Sequence, residues 1–128
     1  MRILLATIIT SLCSLCTSCS ESAVEAQAPV LVENYKNGPE SRRTLKLEIE
    51  GMMCEVGCAA KIKKELLEQE AVSSVIIDFE MERETDYAIV EFDPKGNTTE
   101  NIYGTVNAIA DGKLFTVKSV ETTYYRPE

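Results

Sequence analysis

The sequence predicts an α+β domain with a four-stranded antiparallel sheet and two helices on one of its faces. Three observations lead there. Apolar and charged residues alternate over Leu45–Glu50, Val75–Met81 and Ala88–Phe92, the period of half-buried strands. After Glu55 and again after Asn97 the apolar residues recur at three- and four-residue steps, the period of amphipathic helices. Gly, Pro, Asn and Asp punctuate the chain between these stretches.

In the first predicted strand Leu45, Leu47 and Ile49 face inward against Lys46, Glu48 and Glu50, and Gly51 ends it. A helix over Glu55–Glu70 carries Ala59, Ile62 and Leu66 on one side and Lys63, Lys64, Glu68 and Gln69 on the other. The second strand is expected to turn Val75, Ile77, Phe79 and Met81 to one face, with Glu82–Asp86 as a charged, solvated hairpin. Ala88, Val90 and Phe92 then face inward from a third strand. Asp93-Pro94-Lys95-Gly96 is a turn, and Asn97 or Thr98 caps a second helix with the stripe Ile102, Val106, Ile109. Gly104 weakens that helix by about 1 kcal/mol relative to alanine. Leu114–Val120 supplies the last strand. The order βαββαβ, folded with right-handed crossovers, is the ferredoxin-like sandwich.

The domain is expected over residues 44–121, preceded by a flexible tether over 19–43 and followed by a frayed tail over 122–128. In the tether Val30-Leu31-Val32 is the one stretch suited to a strand, and Asn37-Gly38-Pro39 is a breaker. Residues 1–18 read as a signal peptide: Met1-Arg2, then an uncharged apolar run from Ile3 to Leu15, too short to span a bilayer. The run ends in Leu15-Cys16-Thr17-Ser18-Cys19, which resembles the lipobox of bacterial lipoproteins and makes Cys19 the expected lipidation site. Cys16 stands where that motif usually has an aliphatic residue. A signal peptide without lipidation is the alternative, and a Cys13, Cys16, Cys19 metal cluster is disfavoured by its apolar setting. Either signal sends the chain to the cell envelope, anchored there if Cys19 carries lipid.

Composition excludes several functions. The net charge is −8 without a basic stripe, so phosphate backbones repel the chain and no nucleic-acid partner is expected. There is no histidine, which removes imidazole zinc sites and the Ser-His-Asp arrangement, and no other acid–base constellation suggests an enzyme. Soft-metal chemistry is left to sulfur, from five cysteines and four methionines.

The sulfur is concentrated in Gly51-Met52-Met53-Cys54-Glu55-Val56-Gly57-Cys58. Helical geometry puts residues four apart on one face with Cα atoms about 6 Å apart. Unpaired amides at the helix start favour thiolate, and Gly57 relieves crowding. Cys54 and Cys58 are therefore the candidate metal ligands. Two thiolates without a carboxylate or imidazole partner suit a soft ion of low coordination number, Cu(I) foremost, with other soft ions possible. The alternatives are a structural disulfide, a thiol–disulfide redox module, or an interaction domain with no metal role.

This stretch resembles the heavy-metal-associated (HMA) domain of copper chaperones and metal-pumping ATPases. Gly51, Met52 and Cys54 match its Gly-Met-x-Cys start. Ile62 and Leu66 follow Cys58 at the family's spacing, and Ala71-Val72 stands at its Gly-Val. The resemblance covers Thr44 to about Val120. It implies a metal chaperone or buffer that exchanges its ion with a donor or acceptor protein, and it makes Met52 a core residue beneath the loop. Met53, a further sulfur in the loop, and Lys113, whose Gly112-Lys113 resembles a pair beside the thiolates of some chaperones, are possible neighbours of the metal site. The departure is Cys-x3-Cys in place of Cys-x2-Cys.

Overall fold

The computed structural model describes residues 28–128. The expected signal peptide and the Cys19 lipidation site lie outside the described residues.

Nine elements follow in order: β1 (Val30–Asn37), β2 (Arg43–Glu50), a π-helical turn (Glu55–Ala59) leading into α1 (Ala60–Leu67), β3 (Val72–Asp78), β4 (Thr85–Phe92), α2 (Thr99–Ala108) ending in a 3-10 turn (Ile109–Gly112), and β5 (Thr116–Arg126). The predicted βαββαβ core is present as β2 to β5 with α1 and α2. Its sheet differs from the expected one. It has five strands in the order β1-β5-β2-β4-β3, and it is mixed, because β1 runs parallel to β5 while the other pairs are antiparallel.

One face of the sheet makes the core. Leu45, Leu47 and Ile49 of β2, Ala88, Val90 and Phe92 of β4, and Val117 and Val120 of β5 are buried with Ile62 and Leu66 of α1 and Ile102 and Val106 of α2. The α2 cap is Thr98, whose hydroxyl accepts from the Asn101 N–H at 3.1 Å. Ala71 has φ +61, which explains why glycine suits that position in the resembling family.

Two boundaries are corrected. The supposed tether contains β1, and the supposed tail continues β5 to Arg126. The two stretches hold each other. Tyr35 stacks on Tyr124 with ring centroids 5.2 Å apart, Arg126 lies over Tyr35 at 4.2 Å, and the Tyr124 hydroxyl donates to Glu33 at 3.1 Å. Thr122 and Thr123 are buried in the middle of the sheet, where β-branched residues pack well. β1 has β5 as its neighbour and the tail is also paired with β2 through Thr122, Thr123 and Tyr124, contacts with partners far away in sequence.

The second strand is shorter than expected, ending at Asp78, so Met81 is exposed in the hairpin and Ile77 and Phe79 are only partly buried. The hairpin is also less solvated than its charges suggest. Asp86 is buried and belongs to β4; its Oδ1 accepts from the Glu80 N–H at 2.9 Å and from Arg83 Nη2 at 3.1 Å. Arg83 Nη2 also reaches Asp78 Oδ1 at 2.9 Å, so one guanidinium ties the turn together. It is held above its ordinary pKa chiefly by the Asp78 hydrogen bond.

Tyr124→Ala removes both the stack and the bond to Glu33. It should lower the unfolding free energy by about 1–3 kcal/mol, read from urea denaturation, and should raise hydrogen exchange in β1 before the rest of the sheet.

Candidate metal centre

β2 delivers the chain to the loop through Gly51, whose φ of +108 and close approach to the Leu114 carbonyl leave no room for a side chain. Met52 is buried and pins the loop to the core, as the resemblance implies, whereas Met53 is 82% exposed. Cys54 follows in extended conformation, and the chain then winds into the π-helical turn. The Ala59 N–H donates to the Cys54 carbonyl at 3.2 Å, five residues back rather than four. The wider turn takes up the residue that Cys-x3-Cys has in excess of Cys-x2-Cys.

The two candidate ligands come together. Cys54 Sγ and Cys58 Sγ are 3.9 Å apart, both cysteines are free, Cys54 is exposed, and Cys58 packs partly against the core. The Cys54 thiol is held below its ordinary pKa, chiefly by the backbone N–H of Cys58, then by that of Gly57 and by the Cys58 side chain. These donors favour the thiolate, the form that binds metal. Gly57 gives the sulfur its seat, since a side-chain carbon there would lie 3.0 Å from Cys54 Sγ.

Bonds of about 2.3 Å from each sulfur to a common ion would enclose an angle of about 115° at the observed separation, whereas a linear site needs sulfurs about 4.6 Å apart. The pair therefore suits an ion bent toward a third ligand, and side-chain rotation of well under 1 Å per sulfur opens it to the linear form. Among the described residues no group of three His, Cys, Asp or Glu is placed to hold a metal. Cys54 is open to solvent.

Neither neighbouring candidate has a hydrogen bond to the sulfurs among the described residues. Lys113 is exposed in the segment before β5, next to the Leu114 carbonyl that Gly51 touches. Among the described residues it makes no ion pair, and the side-chain hydrogen bond of the cysteines is with each other. The amides of Gly57 and Cys58 and the carbonyl of Cys54 are backbone contributions; the Cys-x3-Cys spacing with a glycine just before the second cysteine is the signal that points to them.

No family model matches the chain, and no curated protein matches it. Among solved structures it is similar to the mercury-bound form of MerP, the periplasmic protein from the bacterial mercury detoxification system. The identity is 28%, 59% of this chain and 99% of that chain are covered, and the TM-score is 0.40.

Two outcomes follow from the thiol geometry. In pH-dependent alkylation Cys54 should react as thiolate at lower pH than an unperturbed thiol. Gly57→Ala should raise the pH at which it does so, because the added carbon pushes the sulfur off its amide donors.

Proposed function

We propose that the protein binds a soft heavy-metal ion, Cu(I) foremost, through the thiolates of Cys54 and Cys58, and serves in the cell envelope as a tethered metal chaperone or buffer. The observation that carries this reading is the pair of free sulfurs 3.9 Å apart at an exposed end of the sandwich. The backbone amides around them favour one as thiolate, and soft ions prefer sulfur to oxygen. Zinc would need two further protein ligands, which the described residues do not assemble.

Exchange follows from the same arrangement. An incoming thiolate bonds to the ion at the open third position. The bond to one of the two cysteines then breaks, leaving that sulfur as thiolate or thiol. No electrons are transferred. Cys54, the more exposed of the pair and the one seated on backbone amides, is the sulfur that leaves or captures first. Its amide donors stabilise the free thiolate in either direction. A disulfide between the pair would remove both ligands at once, so binding in the oxidising envelope requires a reductant. Residues 1–18 serve as the export signal in this reading and Cys19 as the lipid-bearing residue. No helix among the described residues is long and apolar enough to cross a membrane.

The reduced protein, titrated with Cu(I) against a competing chelator, should bind one ion per chain. Cys54→Ser and Cys58→Ser should each lower the affinity at least about 100-fold while leaving the circular dichroism spectrum unchanged. Tight stoichiometric binding by the double variant defeats the assignment. Parallel titrations with Hg(II) and Zn(II) rank the metals.

A further inference from the structure

The strand that periodicity missed forms one edge of the sheet. In the order β1-β5-β2-β4-β3 the two edges are β1 and β3. A strand edge presents a row of amide and carbonyl groups that a further strand can join, and folded proteins usually blunt it with charge, proline or a bulge. β3 is blunted: its register with β4 shifts between Val72 and Ser74, and Asp78 ends it. β1 is not. It pairs with β5 without a break from Val30 to Asn37, and Val30-Leu31-Val32 carries no charge. Pro29 and Lys36 stand only toward its two ends.

The three apolar residues are 65%, 58% and 45% exposed. Leu31 lies in the row Leu31–Val120–Leu47, whose other two members are fully buried, so it stands on the core side of the sheet with no strand beyond it. Val30 and Val32 alternate with it and stand on the other side. Apolar side chains are therefore open to solvent on both faces of one regular edge.

A second copy of the chain fits this edge, and charge fixes how. Two copies related by a two-fold axis perpendicular to the sheet pair antiparallel, and the residue on the axis then faces itself. With the axis at Glu33 two carboxylates oppose each other, which destabilises a strand pair. With the axis at Val32, Leu31 faces Glu33 twice. With the axis at Asn34, Leu31 faces Asn37 and Val30 is left outside the pairing. With the axis at Leu31, Leu31 faces Leu31 and Val30 faces Val32 on both sides, so apolar meets apolar. Glu33 then stands at the margin opposite Pro29, and no like charges meet.

We infer that two copies join β1 to β1, antiparallel about an axis at Leu31, into one continuous sheet. The interface is isologous, and the interrupted β3 edges lie outermost, so the assembly closes as a dimer. The thiol loops point to opposite ends of the joined sheet, because β1 begins at the end where β2 runs into its loop. Each site thus keeps its own ion, and pairing does not depend on metal. The contact is far smaller than the roughly 20–30 residues a side of a standard interface. The pair is therefore weak in free solution, and confinement by a membrane anchor strengthens it.

The test uses the full chain in the Cys54→Ser/Cys58→Ser background, so that failure of the metal reading leaves it intact. Cysteine is placed by Leu31→Cys, Val32→Cys or Lys36→Cys, and membranes of cells making each protein are oxidised with diamide. The disulfide-linked dimer should form at least about 5-fold more at position 31 than at 32 or 36, because only there do the two Cα atoms come within bridging range. The parent without the added cysteine should give none above background. Adding Val30→Lys and Val32→Lys, which set lysine against lysine across the axis, should reduce the position-31 dimer by at least about 5-fold. Both sites are exposed, so the circular dichroism spectrum should not change. If the protein is missing from the membranes, the anchor reading of Cys19 fails, and the same comparison is made on purified protein at roughly millimolar concentration. Equal linkage at positions 31, 32 and 36, no linkage at 31, linkage that survives the two lysines, or linkage of position 31 to a different protein overturns the inference.

Discussion

The bond from the Ala59 amide to the Cys54 carbonyl sets the geometry on which the site depends. It closes a turn one residue wider than an α-helical one, and so it lets two cysteines separated by three residues share one small space. Within that turn the amides of Gly57 and Cys58 converge on the Cys54 sulfur, and the missing side chain at residue 57 keeps the approach open. Outside it, Met52 and Gly51 lock the loop to the core and to the segment before β5. Cys54 is exposed and Cys58 half-buried, and the backbone that presents them is fixed on both sides. That combination suits a ligand that must be held and also given up.

The inner face of the fold was legible from periodicity alone. Leu45, Leu47, Ile49, Val90 and Phe92 were expected inside and are buried, as are Ile62, Leu66, Ile102 and Val106. These residues bury their side chains through local pattern, which a linear reading detects. β1 and the second half of β5 escaped because their strand character comes from partners distant in sequence: β5 for β1, and β1 and β2 for the end of β5. Val30-Leu31-Val32 is exposed even when paired, and the roles of Tyr124 come from Tyr35 of β1 and Arg43 of β2, both distant in sequence. Asp86 escaped for a related reason. A carboxylate in a charged run reads as solvated until Arg83 and the Glu80 amide are folded around it.

The candidate site was legible to the extent that it is made of side chains. Cys54, Cys58 and the buried Met52 stand where spacing and resemblance put them, while Met53 points into solvent and Lys113 stays on the neighbouring segment. What spacing did not convey is the wider turn, because a three-residue gap is equally compatible with an α-helical start. The difference has chemical weight. In the function proposed, a sulfur pair 3.9 Å apart leaves room for an incoming third ligand, which is what transfer rather than storage would require.

X-ray absorption at the copper edge of the Cu(I)-loaded, reduced protein reads the metal's own surroundings. A first shell of sulfur alone, with two scatterers in the isolated protein and a third appearing when a free thiol is added, is the result expected here. A shell containing nitrogen or oxygen ligands, or one unchanged in the Cys54→Ser/Cys58→Ser protein, would contradict it.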